Sequence, residues 1–170
     1  SAATLFCGLT YTRMANMAKV LNVPFLCERY FYTLQNEYIF PVIRTEYVKH
    51  QEAIFAFLKG TPLQLSGDGR CDSPGYSAKY CTYSLIDNAT NLIIDYSLVQ
   101  MTETGSSVAM EKEGLDRCLS NVLANDIQVQ SITTDRHTSA TALLKKKYPD
   151  VVHYYDVWHL AKSITKKANQ

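Results

Sequence analysis

What most constrains this chain is a change of rhythm at Leu63. Before it, apolar side chains recur at helical spacing. After it, they come in short runs bounded by turn residues. Leu63-Gln64-Leu65-Ser66-Gly67-Asp68 reads as a strand that ends in an acid, and Gly69 to Gly75 as a loop. Residues 78–87 and 92–99 read as two more strands, joined by Asp87-Asn88-Ala89-Thr90-Asn91, which has turn chemistry. Residues 63–99 therefore predict three consecutive antiparallel strands.

The next stretch alternates. Ser106 or Ser107 is placed to cap a helix whose apolar side carries Val108, Leu115, Leu119, Val122 and Leu123. Val129 to Thr134 is a strand running directly into Asp135. A short helix follows around residues 138–147, closed by Tyr148-Pro149-Asp150. Val151 to Tyr155 is a fifth strand that delivers Asp156, and a last helix begins near Trp158 or His159. Three strands, then helix, strand, helix, strand and helix is the order of an α/β, ribonuclease-H-like fold: a five-stranded mixed sheet flanked by helices.

Residues 1–60 read as a helical extension before that domain, which takes 61–170. Thr10 or Thr12 is placed to cap a helix through Met14, Met17, Ala18 and Leu21, ended by Asn22-Val23-Pro24. A second helix carries Phe25, Leu26, Tyr30, Phe31 and Leu34. Pro41 is expected to interrupt before a third helix from about Ile43 to Lys59, which Gly60-Thr61-Pro62 stops. Two helices with a short break raise a helix-turn-helix, but the aromatic second helix suits burial or self-association better than reading bases.

Composition narrows the function classes. The chain is 46% hydrophobic with 12 Tyr and 6 Phe, too apolar for a disordered segment. No run approaches a membrane span, and the first residues carry no signal-peptide pattern. Net charge is +1 but uneven: residues 61–135 hold ten acidic and four basic side chains, and residues 136–170 hold two acidic and seven basic. That split suits a cation site beside phosphate-holding lysines, although solvated surface would look the same. Five cysteines at wide spacing form no CxxC pair and no zinc-finger pattern, so they read as reduced, mostly buried thiols.

Asp68, Asp135 and Asp156 each stand where a predicted strand ends. If strands one and four are neighbours, Asp68 and Asp135 meet at one rim. Two carboxylates that close repel unless a cation screens them, and hard oxygen donors suit Mg²⁺ or Mn²⁺. Two such ions about 3.5–4 Å apart would stabilise the attacking and leaving oxygens of a phosphodiester. Asp135 has a plainer alternative as the cap of the next helix. Asp156 and His159, three apart, face each other across a turn, as a phosphate contact or a local structural pair. His137 lies near the second acid, where a capping role is equally open. Arg70 is placed to clamp a phosphate or pair with Asp72. Lys79, Lys162 and the run 145–147 are candidate backbone contacts.

Three blocks carry a resemblance. Gly67-Asp68-Gly69-Arg70-Cys71-Asp72-Ser73-Pro74-Gly75, with Ser77-Ala78-Lys79-Tyr80, resembles the first catalytic block of eukaryotic Kolobok-like DDE transposases. Ile132-Thr133-Thr134-Asp135-Arg136-His137 is similar to their second block. Asp156-Val157-Trp158-His159-Leu160-Ala161-Lys162 is similar to the [C/D]xxH segment of several eukaryotic transposase superfamilies. The resemblance covers roughly residues 60–167. It implies Asp68 and Asp135 as the first two metal-holding catalytic acids, Mg²⁺ or Mn²⁺ as cofactor, DNA as partner and the nucleus as location. It places Asp156 and His159 at the ends of the [C/D]xxH segment. It also implies a third acid, a glutamate further downstream, and no Glu follows Glu113 here. Nor is there a match to the family's DNA-binding module, often zinc-coordinating. These 170 residues alone are therefore expected to be inactive, and a domesticated DNA- or protein-binding domain without catalysis is the alternative.

Overall fold

A computed structural model of the chain describes residues 2–74, 77–135 and 138–157. The chain divides into two compact units, Ser1–Glu52 and Ala53–Gln170.

The first unit is helical: α1 (Ala2–Phe6), α2 (Tyr11–Val20), α3 (Glu28–Leu34) and the start of α4 (Phe40–Leu58). Thr10 caps α2, its hydroxyl oxygen accepting from the Arg13 N–H at 3.3 Å. An aromatic cluster holds the unit together. The Tyr11 ring lies 5.3 Å from that of Phe31 and 5.9 Å from that of Phe25, and its hydroxyl donates to the Leu26 carbonyl at 3.0 Å. Phe31 is buried, as a packing helix requires, while Tyr30 and Tyr32 stay exposed.

Pro41 does not interrupt the helix as the sequence suggested. A π-helical turn, Gln35–Ile39, joins α3 to α4, and the Phe40 N–H donates to the Gln35 carbonyl five residues back. A proline lacks an N–H, and its ring crowds the carbonyl four residues earlier, here Glu37. The wider turn set just before it takes up that conflict without breaking the helix.

The second unit is an α/β domain. Its strands are β1 (Leu63–Cys71), β2 (Tyr80–Asp87), β3 (Ile93–Gln100), β4 (Val129–Thr134) and β5 (Val152–Tyr155). They form one sheet in the order β3-β2-β1-β4-β5. The first three pair antiparallel, and β4 and β5 are added parallel through α6 (Ser107–Ala124) and α7 (Thr138–Lys147). This is the ribonuclease-H-like topology. A short α5 (Met101–Thr104), unforeseen in the sequence, precedes α6; reciprocal bonds between Gln100 and Glu103 cap its start, and Gly105 ends it in a left-handed conformation. Ser106 caps α6, accepting from the Ala109 N–H at 3.2 Å.

The core sits between α6 and the sheet. Leu115, Cys118, Leu119 and Val122 are fully buried along one side of α6, against Leu65, Leu85, Ile94 and Ile132 of four different strands. Each such side chain contributes about 1.5–3 kcal/mol. Leu143 and Leu144 of α7 and Ile54, Phe55 and Leu58 of α4 extend that core. Among the described residues no helix is long and apolar enough to cross a membrane.

Candidate active site

The sheet's pairing decides where the acids stand. β1 does not end at Asp68. It continues to Cys71, because its antiparallel partner β2 runs alongside as far as the Cys71–Cys81 pair. On its other side β1 pairs parallel with β4, and that ladder reaches Ser66 opposite Thr133. Two residues further along each chain stand Asp68 and Asp135, at the point where the parallel side runs out. Both line one cavity of about 380 Å³, together with Ser66, Ser84, Thr133 and Asp156.

Each acid is fixed by backbone chemistry. Asp68 Oδ1 accepts from the Gly69 N–H at 2.9 Å. The Asp156 N–H donates to the Thr134 carbonyl at 2.9 Å, which brings Asp156 beside the end of β4. Thr134 locks that end. Its hydroxyl donates to the Asp135 carbonyl at 2.8 Å and lies 2.9 Å from His153 Nε2. The single hydroxyl proton is spent on the carbonyl, so Nε2 of His153 is the protonated nitrogen and donates to Thr134. Burial, with Lys145 nearby, holds the His153 imidazole below the ordinary histidine range.

Tyr83 of β2 senses both carboxylates. Burial pushes its hydroxyl well above the ordinary tyrosine range, and the charges of Asp135 and then Asp68 push further the same way. The Tyr83 hydroxyl packs against the strand at Gly67, where a Cβ would stand 2.6 Å from it. The rim is thus a focus of negative charge, in a cavity lined also by Ser66, Ser84, Thr133, Thr134 and Ile86. Carboxylates are hard oxygen donors of the kind that divalent cations take.

The other residues singled out from sequence separate. Arg70 and Asp72 line a different recess, with Tyr80 and Thr82. Asp72 closes the loop between β1 and β2: its Oδ1 accepts from the Lys79 N–H at 3.0 Å and the Tyr80 N–H at 3.3 Å. Burial opposes its ionisation, yet those backbone donors hold its carboxyl below the ordinary range. The Lys79 side chain is exposed. His137, His159 and Lys162, with Trp158 and the last helix, lie outside the described residues.

A second cluster escaped the sequence. Donor atoms of Cys71, Cys81 and Glu111 all lie within 4.8 Å of one another. Among the described residues this is the one group of three or more His, Cys, Asp or Glu drawn so close, and Asp68, Asp135 and Asp156 do not form such a group. Cys71 and Cys81 are ten residues apart, a spacing with no ligand signature. Only the β1–β2 register sets them opposite each other. All five cysteines are free: Cys81 and Cys118 are buried, Cys71 half-buried, and Cys7 and Cys27 exposed rather than in a core.

No protein-family profile and no curated protein sequence matches the chain. Among solved structures it is similar to the HTLV-2 integrase catalytic core domain in complex with magnesium (dimeric form), at 14% identity over 64% of this chain and 72% of that one, with a TM-score of 0.37. The chain itself carries a ribonuclease-H-like sheet with two carboxylates on one cavity at its rim, and a group of two cysteines and a glutamate that could hold a metal ion.

Proposed function

We propose that the chain is part of the catalytic domain of a DNA transposase of the Kolobok-like DDE kind, which cuts and joins phosphodiesters with divalent cations. One observation carries the reading: Asp68 and Asp135, 67 positions apart in sequence, line one cavity where the parallel pairing of β1 and β4 runs out. The quoted sequence blocks around both acids support it.

Asp68 and Asp135 hold the cation through carboxylate oxygens. Bound there, Mg²⁺ or Mn²⁺ supplies charge stabilisation at the phosphate and makes an attacking water or hydroxyl more acidic. Asp156 offers a further carboxylate on the same cavity. The Thr134–His153 contact keeps the end of β4, and with it Asp135, in place. DNA is the substrate on this reading, held by its backbone through lysines such as Lys145 and Lys146 at the end of α7, so binding falls steeply with salt.

The test is Mn²⁺ titration calorimetry on the protein and on Asp68→Asn and Asp135→Asn, paired with a nicking assay on terminal-repeat DNA. The expected result is Mn²⁺ binding that weakens in both variants. Unchanged Mn²⁺ affinity in both would reject the metal site. Metal binding and DNA binding without nicking, in a full-length parent that supplies the downstream glutamate, would favour a domesticated, non-catalytic domain.

A further inference from the structure

We propose that Cys71, Cys81 and Glu111 form a zinc site that clamps the β1–β2 hairpin to α6, separate from the Asp68–Asp135 cavity.

Three elements converge on it by different means. Cys71 and Cys81 are direct partners in the antiparallel ladder of β1 and β2. Both belong to the small apolar cluster with Ala78, Val99 and Met110, so both thiols sit on the helix side of the sheet. Glu111 comes from the first turns of α6. Gly69 is what admits it: a Cβ at Gly69 would stand 2.8 Å from Glu111 Cγ and 3.3 Å from its Cδ. Glu111 therefore crosses β1 over a bare backbone position, two residues before Cys71 and on the same face.

The donor set selects the ion. Two sulfurs and one carboxylate suit Zn²⁺, which takes thiolate at about 2.3 Å and carboxylate at about 2.0–2.2 Å. Mg²⁺ and Mn²⁺ prefer an all-oxygen set. Ligand atoms around one tetrahedral zinc stand roughly 3.5–4 Å apart, so a contraction of at most about 1 Å closes the site. Three protein ligands leave the fourth position to water.

Charge balances. Without metal the site holds two thiols and one carboxylate. Zn²⁺ binding releases the two thiol protons to solvent and leaves two thiolates and one carboxylate around the dication. The net charge of the site stays at −1, and binding tightens as pH rises.

The experiment uses the full chain, purified under reducing conditions, loaded with Zn²⁺ and dialysed, with Co²⁺ substituted in a parallel sample. One equivalent of zinc is expected, with a thiolate-to-cobalt charge-transfer band. Both should vanish in the Cys71→Ser and Cys81→Ser variants. They should persist in the Cys7→Ser/Cys27→Ser double variant, which removes the exposed thiols, and in Asp68→Asn. Glu111→Gln should weaken zinc by about tenfold or more. This half-buried position keeps the test open if a cysteine variant fails to fold. No retained zinc and no cobalt–thiolate band in the unaltered protein would overturn the site. So would zinc retained equally without Cys71 and Cys81, or a Cys71–Cys81 disulfide in freshly isolated protein, read by thiol alkylation and mass spectrometry. Loss of Mn²⁺ binding in Asp68→Asn with zinc retained would separate the two sites.

Discussion

Tyr83 of β2 rests directly against Gly114 of α6: a Cβ on Gly114 would stand 2.5 Å from Tyr83 Cβ. Glycine is a poor helix former, disfavoured by about 0.8–1.0 kcal/mol relative to alanine, yet it sits mid-helix on the buried side of α6. Close approach of helix to sheet explains it. Gly114→Ala should therefore destabilise the domain by about 1–3 kcal/mol through overpacking, against the helix-propensity trend. Urea unfolding decides the sign, and a stabilised variant would mean the contact is loose.

Asp68 and Asp135 share one cavity, and both charges act on Tyr83. Like charges held close are a cost to the fold in the absence of a cation. In metal-free buffer Asp68→Asn should leave stability within about 0.5 kcal/mol of the unaltered protein or raise it. The amide oxygen can still accept the Gly69 N–H that Asp68 Oδ1 takes now. A loss of about 2 kcal/mol or more in urea unfolding with chelator would mark Asp68 as a structural residue instead.

The place of Asp135 just past a strand was legible in the sequence because Val129–Thr134 is a short segment rich in β-branched residues that simply stops. Asp68 was legible only in part. Its strand runs on to Cys71, and where one side of a strand loses its partner depends on the register of β4. The Cys71–Cys81–Glu111 cluster was not legible at all, since it needs a register and the open position at Gly69. Tyr83 falls inside the strand read at 78–87, with nothing in the sequence to set it apart. Its place under the acids comes from glycines at 67 and 114 that sequence spacing does not connect to it. At Pro41 the local rule was sound, but a single wide turn satisfied it without a break.

The lysine run 145–147 looks like solvated surface in sequence, but its last member is engaged. Lys147 Nζ lies 2.6 Å and 2.8 Å from the Asp116 carboxylate oxygens, and Tyr148 donates to the same carboxylate while contacting Ser120 Oγ at 2.7 Å. Together they tie the end of α7 to α6. Burial works against the Asp116 charge, yet the bonds from Lys147 and Tyr148 hold its carboxyl below the ordinary range. Lys147 is half exposed and Tyr148 is buried. Tyr148→Phe should therefore cost about 1 kcal/mol, and Lys147→Ala less, since exposed ion pairs contribute little. Equal losses in thermal or urea unfolding would contradict that ranking.

His153 gives a pH signature. It lies against Thr134 and packs its ring 4.8 Å from that of Tyr155. Burial, then Lys145, lowers its affinity for a proton below that of a free histidine, whose ordinary value is 6.5. The unfolded chain takes up the proton first as pH falls, so this contribution is complete above about pH 6.5 and declines below it. His153→Gln keeps an amide N–H to offer Thr134 but cannot titrate. The stability difference between the unaltered protein and the variant should shrink between about pH 7.5 and about pH 5.5. Carboxylates such as Asp116 and Asp72, held below their ordinary 3.8, stay charged across that window and cancel in the difference. Urea midpoints at several pH values provide the readout. A difference that stays constant would mean His153 ionises as freely in the fold as outside it.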